Sequence, residues 1–424
     1  MNKKQVTKAF VYEIFPTPEQ KTQINKTIGC ARFVYNRALA EYTAAYEIEK
    51  AKPKEEQRPF SAVFGEVCKT FSPLAQTEDY GWLKEVYAQC WHNAYADLQD
   101  AFKRFFKGLN RYPKFKRRSF SGSCTVNVGT SKNGNFAYAG DHIRVPAKLG
   151  AILKIGKGKP INGKAKRLTI NKTATGRYFV SIMCENSEID VFPAAEKEIG
   201  LDTGVINLVT YDDGQMKAGK TPFEIALKKI KYLQRQLSKK DELYKKECKR
   251  LKAVMGENYV KPERSKAREK LRIELAKAHE HAAFIRETYL HTLSTKIVRE
   301  NGFIAVEDLD VKGLFQNKLI SRKLGDHALG EFYRQLEYKS GWHGRIYHKI
   351  DRFYPSSKVC SECGWLFAEW TLKHRIWTCK ECGTQHNCDI NAAKNILAQA
   401  KKECAEGKEV KKIIKIKNKK LKTA

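Results

Sequence analysis

Three acidic residues lie where a carboxylate could act chemically: Asp202, Glu307 and Asp389. Asp202 interrupts an apolar strand pattern, where an unpartnered carboxylate would be costly. Glu307 ends the strand pattern of residues 303–309, and Asp389 begins the helical pattern of residues 386–396. Separate elements that each supply a carboxylate can hold two divalent ions about 4 Å apart, and such oxygen ligands favour Mg²⁺ or Mn²⁺. The set therefore fits an RNase H-like nuclease centre.

Two of the carboxylates also have an interpretation without a catalytic role. Asp389 taken alone is most simply a helix N-cap, and Glu307 taken alone can be a functionally silent strand end. The joint interpretation, in which the three carboxylates form one metal centre, is favoured by their order along a strongly basic chain: strand, strand, helix. Gly200 and Gly204 leave room for a ligand beside Asp202.

Four of the twelve cysteines have metal-ligand spacing. Cys360 and Cys363 form one Cys-x-x-Cys-Gly turn, and Cys379 and Cys382 form a second after fifteen intervening residues. Two such turns joined by a hairpin can supply a tetrahedral four-thiolate zinc site. The alternative, two redox pairs, needs a thioredoxin-like βαβ setting that the sequence lacks. Four protein ligands leave no open position, so we expect structural zinc.

The charge balance indicates a polyanionic partner. The chain has 424 residues with 80 Lys and Arg against 47 Asp and Glu, a formal net charge of +33 spread along its length. That distribution is typical of proteins that bind nucleic acids. A hydrophobic content of 42% argues against a fully disordered chain. Because the sequence shows no transmembrane run or secretory signal, we expect a cytoplasmic protein, or a nuclear one in a eukaryote, without a membrane partner.

One segment combines basic and aromatic side chains. Residues 101–118 contain eight basic residues, five aromatic residues and no acidic residue. Basic groups neutralise phosphates and aromatic rings stack on unpaired bases, although some of the phenylalanines would equally pack inward. The candidates for phosphate contact are Arg111, Lys114, Lys116, Arg117 and Arg118.

The elements that must position these groups fall into two halves. A strand over residues 9–14 precedes a helix start at Thr17, with Pro18 in the first turn and Gln20 completing a capping box. Short strand patterns over residues 121–195 predict a small β-barrel that the N-terminal strand completes. The helical block 17–120 would then be an insertion in that barrel.

The second half contains a long charged helical pattern over residues 227–282. Gly256 and Pro262 predict a break between two helices. This hairpin is either a solvated surface element or one wall of a nucleic-acid channel, and different faces can serve both purposes. Residues 401–424 carry ten Lys and three Glu and form a basic tail.

At these positions the chain resembles TnpB, the RNA-guided nuclease carried by bacterial and archaeal insertion sequences and a relative of compact type V CRISPR effectors. Any one of the matching motifs is common, but the ordered set is not. The motifs lie at residues 31–36, 200–204, 306–309, 354–364, 379–383 and 389–393. The resemblance departs at Cys388, where the family commonly has Arg, and at Thr203, where an apolar residue is more usual. Neither departure removes a carboxylate.

The resemblance implies a fold and a set of roles. The fold would be a multidomain α/β protein, with an RNase H-like (RuvC) nuclease domain that contains an inserted zinc ribbon and a β-barrel wedge domain with a helical recognition insertion. Asp202, Glu307 and Asp389 would be the catalytic ligands of Mg²⁺ or Mn²⁺, and the four cysteines would hold zinc in a ribbon that binds target nucleic acid. Arg32, Tyr35 and Asn36 become nucleic-acid-binding candidates.

The resemblance also implies partners and domain limits. A monomer would bind a guide RNA from the transposon end, read a short motif beside a double-stranded DNA target, and cut both strands at one site. Candidate readers of that motif lie around residues 32–37 and 124–131. The expected domains are wedge 1–16 and 121–195, recognition 17–120, nuclease 196–358 and 386–402, ribbon 359–385, and tail 403–424. Two other functions remain open: a nuclease-inactive RNA-guided repressor and a strand-transferring transposase.

Overall fold

The structure is a computed structural model of the 424-residue chain. It describes residues 2–117, 121–128, 136–219, 221–317, 320–371 and 374–407. The chain divides into two compact units, one of residues 5–189 and one of residues 1–4 with 190–424. Within these described ranges, no helix carries an apolar stretch long enough to cross a membrane.

The described residues of the first unit form seven strands in two sheets. They are β1 (Lys3–Ile14), β2 (Gly122–Asn127), β3 (Ala137–Tyr138), β4 (His142–Arg144), β5 (Ile152–Lys154), β6 (Lys164–Lys172) and β7 (Tyr178–Asp190). One sheet has the order β1-β7-β6-β2 and the other has the order β3-β4-β5. The N-terminal strand therefore joins the later strands, as the sequence predicts.

The two sheets enclose a common core, but the described residues do not confirm the predicted small β-barrel. Tyr12, Ile143 and Val180 belong to one buried cluster to which both sheets contribute, and a single bridge pairs Ile14 with Ile155. Neither sheet is closed within the part of the chain that the structure describes. Strands β3 to β5 are two or three residues long, too short to continue the ladder around a full barrel.

The helical insertion follows β1 directly. Its helices are α1 (Pro18–Lys50), α2 (Phe60–Lys69), α3 (Phe71–Leu74) and α4 (Ala88–Phe106). The predicted start of α1 is confirmed, because Thr17 caps the helix and Gln20 completes the capping box. An aromatic core holds α1 against α4, with the Tyr42 and Phe102 ring centroids 4.5 Å apart.

In the second unit, the described residues form a further seven strands and six α-helices. The strands are β8 (Glu198–Asp202), β9 (Asn207–Tyr211), β10 (Met216–Ala218), β11 (Phe303–Glu307), β12 (Ile346–Ile350), β13 (Ile376–Thr378) and β14 (Gln385–Asn387). The helices are α5 (Pro222–Met255), α6 (Lys266–Glu300), α7 (Val311–Leu314), α8 (Ser321–His327), α9 (Leu329–His343) and α10 (Cys388–Ala405). The predicted break between two long helices is confirmed at residues 256–265. Helix α10 ends at Ala405, inside the segment predicted as tail, and residues 408–424 lie outside the described residues.

A five-stranded sheet organises this unit. Its order is β10-β9-β8-β11-β12. Strand β11 runs parallel to both β8 and β12, whereas β9 runs antiparallel to β8 and β10. On one face, Ile304 and Val306 pack with residues of α6 and α9. On the other face, Phe303 and Ala305 pack with residues of α10. The alternation along β11 thus buries both faces of the sheet.

Candidate active site and zinc centre

Two neighbouring strands end in carboxylates at the same edge of the sheet. Strands β8 and β11 are parallel, and Leu201 pairs with Val306 in their ladder. Asp202 and Glu307 each follow this pair by one residue, so they are the last residues of the two strands. The carboxyl ends of parallel strands meet at one edge, which brings these two predicted residues together.

Helix α10 brings the third carboxylate to that edge. It packs so closely on β8 that a Cβ on Gly200 would overlap the main-chain carbonyl oxygen of Ala393. Glycine at position 200 is therefore required for the close approach. Because side chains alternate along a strand, Asp202 projects from the same face of β8 as Gly200. Asp389 lies in the first turn of α10.

Asp389 does not cap its helix, contrary to the simplest interpretation of that residue alone. The side-chain Oδ1 of Asn387 accepts hydrogen bonds from the main-chain N–H groups of Asp389, at 3.0 Å, and Ile390, at 3.3 Å. Asn387 thus satisfies the first N–H groups of α10. The Asp389 carboxylate is left available to the site.

The electrostatics of the site show an excess of negative charge. Burial raises the pKa of Asp202 to about 8, and the charges of Asp389 and Glu307 add to the effect. Burial also raises the pKa of Glu307 to about 7, with Asp308 contributing. Carboxylates that disfavour their own ionised forms gain stability from a bound cation. Their hard oxygen donors suit Mg²⁺ or Mn²⁺.

The carboxylate group is more open than the cysteine cluster. In the described parts of the chain, the four cysteines are the only group of three or more His, Cys, Asp or Glu residues whose donor atoms all lie within 4.8 Å of one another. Asp202, Glu307 and Asp389 are each partly exposed. The donor atoms of the three carboxylates are spaced more widely than those of a single-ion cluster, and this spacing is compatible with two ions about 4 Å apart.

Two further side chains support the end of β8. The hydroxyl groups of Thr203 and Tyr333 are hydrogen-bonded to each other, and burial raises the pKa of Tyr333. The main-chain oxygen of Gly204 lies 3.2 Å from Nδ1 of His327. These contacts fix the chain directly after Asp202, and they explain why a hydroxyl-bearing residue is accommodated at position 203.

The four predicted zinc-binding cysteines lie together at residues 360–382. The Sγ atoms of Cys360 and Cys382 are 3.7 Å apart, as are those of Cys363 and Cys379. A tetrahedron with Zn–S bonds of about 2.3 Å has an S–S edge of about 3.8 Å. The donor set and its spacing therefore fit a four-thiolate zinc ion. His386 adds a ring nitrogen 3.0 Å from Sγ of Cys360.

The cysteine segment is joined to α10 by both main-chain and side-chain contacts. Strand β14 pairs with β13 and continues without a break into α10. Along the helix, the Nδ2 atoms of Asn391 and Asn395 each donate to the main-chain oxygen of Val359 at 2.7 Å. The position of Asp389 therefore depends on the fold of the cysteine segment.

Sequence reasoning missed one cation beside the carboxylates. Nη1 of Arg375 lies 3.1 Å from Oδ1 of Asp389. The two residues are fourteen positions apart, and the pairing of β13 with β14 brings them together.

An Asn-x-x-x-Asn spacing at positions 391 and 395 places both amides on one helix face, and this spacing could have indicated the contacts of α10 with Val359.

The nucleic-acid candidates of the first unit divide into exposed and structural residues. Arg111, Lys114, Lys116 and Arg117 are exposed, whereas Arg118 lies outside the described residues. Tyr35 is buried in the helical core, and its ring contacts the Lys116 ammonium at 3.9 Å. The Asn36 amide donates to the main-chain oxygen of Lys116 and accepts from its N–H. Tyr35 and Asn36 thus hold the basic segment in place.

A cavity connects this segment with the predicted motif readers. Its volume is about 400 Å³, and Arg32, Lys116, Arg117 and Ser123 are among the lining residues. On its wall, the side-chain Nδ2 of Asn93 donates to the main-chain oxygen of Thr125 at 2.9 Å. The two candidate segments, near residue 32 and near residue 124, therefore face one space.

Three family models match the chain. They are "Helix-turn-helix domain" of the IS605 OrfB type over residues 1–51, "Probable transposase" of the same type over residues 181–318, and "Cas12f1-like, TNB domain" over residues 330–396. The third match covers α9, the cysteine segment and the first half of α10. Together these models reach from the N-terminus to the final helix.

Related proteins match along nearly the whole chain. A Streptomyces pristinaespiralis protein named "Putative RNA-guided DNA endonuclease" is 34% identical over 95% of this chain and 92% of its own length. InsQ of Escherichia coli K12, which carries the same description, is 28% identical over 92% of this chain and 91% of its own length. Among solved structures, the Cas12f1 chain of a Cas12f1–sgRNA–target DNA complex superposes with a TM-score of 0.55 at 12% identity, covering 92% of this chain and 98% of that chain. This superposition shows a Cas12f-like fold, and the identity and coverage of the first relative show that the chain belongs to the TnpB family.

Proposed function

We propose that this protein is an RNA-guided DNA endonuclease that hydrolyses phosphodiester bonds at Asp202, Glu307 and Asp389. The observation that carries the proposal is that Asp202 and Glu307 end two adjacent parallel strands and that the charges of Glu307 and Asp389 both act on Asp202. The names of the two bacterial relatives support the same activity. Residues 196–358 and 386–402 would then form a RuvC-type nuclease domain.

The strand order supports an RNase H-like interpretation of that domain. Strands β10, β9 and β8 form an antiparallel meander, and β11 and β12 add in parallel on the other side of β8. In such a sheet the central strand and its parallel neighbour end side by side. Ligand sites form at the carboxyl ends of parallel strands, which is where Asp202 and Glu307 stand.

The three carboxylates would hold Mg²⁺ or Mn²⁺. Such an ion supplies a hydroxide nucleophile near neutral pH and neutralises charge at the reacting phosphate. The contribution of this chain is to hold three carboxylate oxygens at fixed positions on a rigid sheet and helix. Their partial burial lowers the local dielectric constant, which strengthens electrostatic interactions at the site.

The basic surfaces would bind the nucleic acids. The net charge of +33 and the exposed basic residues Arg111, Lys114, Lys116 and Arg117 suit a polyphosphate backbone. In this proposal the first unit is the wedge domain with its helical recognition insertion, and it binds the guide RNA. The cavity beside Arg32 and Ser123 reads the motif next to the target. Base pairing with the guide carries the remaining sequence information.

The cysteine segment would act as a zinc ribbon that contacts target nucleic acid. Four thiolate donors leave no open position on the metal, so its role there is structural. The ribbon holds β14 and thereby the start of α10. Folding of the ribbon and placement of Asp389 are coupled in this way.

The test begins with the RNA that co-purifies with the full-length protein. Sequencing should give discrete transcripts that end in a variable segment, whereas random cellular RNA would argue against a guide. With that RNA, the protein should cut both strands of a matching duplex when Mg²⁺ is present, and Asp202→Ala should not. Binding without cutting by the wild type would favour the repressor, and RNA-independent joining of DNA ends would favour the transposase.

A further inference from the structure

Arg375 makes two contacts with the start of α10. Its main-chain oxygen accepts a hydrogen bond from the N–H of Cys388 at 2.9 Å. Its guanidinium Nη1 donates to Oδ1 of Asp389 at 3.1 Å. The first contact continues the β13–β14 pairing by one residue. The second contact places the positive charge of Arg375, which belongs to the cysteine segment, beside the carboxylate site.

The two partners of this ion pair differ in their freedom to move. The Arg375 side chain is 53% exposed, whereas the Asp389 side chain is 23% exposed. Asp389 is fixed by the capped first turn of α10. Arg375 has a long side chain with solvent around it, so its guanidinium can leave Asp389 without disturbing the main-chain contact to Cys388.

A divalent ion at the same carboxylate would oppose this arrangement. The charges of Asp202 and Glu307 belong to the same site as Asp389, so an ion bound there lies close to the Arg375 guanidinium. Two like charges at such separations repel by amounts that matter in a partly buried site. Nη1 contacts one of the two oxygens of the carboxylate that the proposed function assigns to the metal ions.

We propose that Arg375 is a displaceable cation that occupies Asp389 in the metal-free protein and competes with the divalent ion for that carboxylate. The inference rests on the proposed function, because it takes Asp202, Glu307 and Asp389 as the metal ligands. Metal binding would release the guanidinium from Asp389, while the main-chain contact of Arg375 to Cys388 is kept.

A second ion pair provides a matched control. Nζ of Lys394 lies 3.0 Å from Oε1 of Glu362, and the two side chains are 46% and 49% exposed. This pair also joins α10 to the cysteine segment, but neither partner is one of the three carboxylates. Lys394→Gln therefore removes one positive charge and one ion pair between the same elements.

The experiment measures Mn²⁺ binding directly, by the electron paramagnetic resonance signal of the free ion. Full-length protein with its zinc retained is compared as wild type, Arg375→Gln, Lys394→Gln and Asp202→Asn. Zinc content and melting temperature show that each variant is folded. Loss of an ion pair of this kind corresponds to about a two- to fivefold change in affinity. We expect Arg375→Gln to bind Mn²⁺ tighter by that factor and Lys394→Gln to match the wild type.

Other outcomes overturn the inference in distinguishable ways. Equal tightening in Arg375→Gln and Lys394→Gln would mean that general charge, not competition at Asp389, sets the affinity. Unchanged or weaker binding in Arg375→Gln would mean that Arg375 stays on Asp389 and orients it for the metal. If wild type and Asp202→Asn bind Mn²⁺ equally poorly, the proposed metal site itself fails and the inference falls with it.

Discussion

Asp202 and Glu307 are the last residues of two adjacent parallel strands, each one position beyond the paired residues Leu201 and Val306. Both side chains project from the face of the sheet that α10 covers, because Gly200 and Ala305 on that face contact the helix. The register of one strand pair therefore fixes the first two carboxylates. The packing of one helix adds the third.

The close approach of α10 to β8 predicts a strong effect at Gly200. Gly200→Ala places a Cβ against the carbonyl oxygen of Ala393, so the helix must shift away from the strand. We expect a loss of about 1–3 kcal/mol in the free energy of unfolding, together with reduced DNA cutting because Asp389 moves with α10. Chemical denaturation and a cleavage assay measure the two effects.

Gly65→Ala serves as the control for that prediction. Gly65 lies inside α2 with no atom within 4 Å of the added Cβ. Helix propensity then favours alanine by about 0.5–1 kcal/mol. Equal destabilisation by both substitutions would show that the fit of α10 on β8 is not the cause.

The raised pKa of Asp202 predicts an effect of pH on stability. Its pKa lies near 8 in the folded protein and at an ordinary 3.8 in the unfolded chain, so folding favours the protonated form. The preference of the folded protein for the protonated carboxyl stabilises it in full below pH 3.8. As the pH rises from 3.8 towards 8, this stabilisation is lost, because the unfolded chain releases the proton more readily than the folded protein does. In buffer free of divalent ions, Asp202→Asn should therefore melt above the wild type at pH 8.5, and the gap should narrow towards pH 5.

The same titration with Asp100→Asn tests whether the effect belongs to the site. The Asp100 side chain is 69% exposed on α4, and we expect its substitution to leave the melting temperature near that of the wild type at both pH values. A gap for Asp202→Asn that is independent of pH would contradict the electrostatic account.

The cysteine cluster predicts that zinc supports the nuclease site. Cys379→Ser removes one of four thiolates, so the ribbon should lose zinc and β14 should lose its anchor. We expect less than one zinc per chain by metal analysis, and weaker cutting because Asp389 follows β14 by two residues. Cys248→Ser, at a half-buried cysteine of α5 outside the cluster, should retain both properties.

The exposed basic segment predicts a change in the salt dependence of nucleic-acid binding. Arg111→Gln and Lys114→Gln each remove a charge that we assign to a phosphate. The slope of log K against log salt concentration is negative, and its magnitude should decrease by about 1 for each substitution. Binding isotherms for the co-purifying RNA at several salt concentrations measure this slope. Lys54→Gln, at an exposed position in the same unit, should leave the slope unchanged, and an equal fall there would contradict the assignment.

Local sequence patterns predicted the parts of the site that depend on short-range structure. A sequence signal within about ten residues marks each of these parts: the ends of β8 and β11, the start of α10, and the two cysteine pairs. The Arg375–Asp389 contact has none, because it arises from the pairing of β13 with β14. Likewise, Asn387 rather than Asp389 caps α10, whereas a single Asp at a helix start could equally have been the cap.

Sheet closure and the roles of Tyr35 and Asn36 also lay beyond the sequence. Strand patterns predict strands but not whether three short ones complete a barrel. Tyr35 and Asn36 match a family motif, yet one packs in a helical core and the other bonds to the main chain of Lys116. The contact of these two residues with nucleic acid stays a prediction.

The most direct test of the account is a cleavage assay on the purified protein with its own RNA and a matched DNA duplex. Wild type with Mg²⁺ should cut both strands. Asp202→Asn, Glu307→Gln and Asp389→Asn should each bind RNA and target as the wild type does, yet lose cutting by at least about a thousandfold, since each removes a ligand of the reacting metal ions. Cutting by any of the three at the wild-type rate would contradict the assigned site.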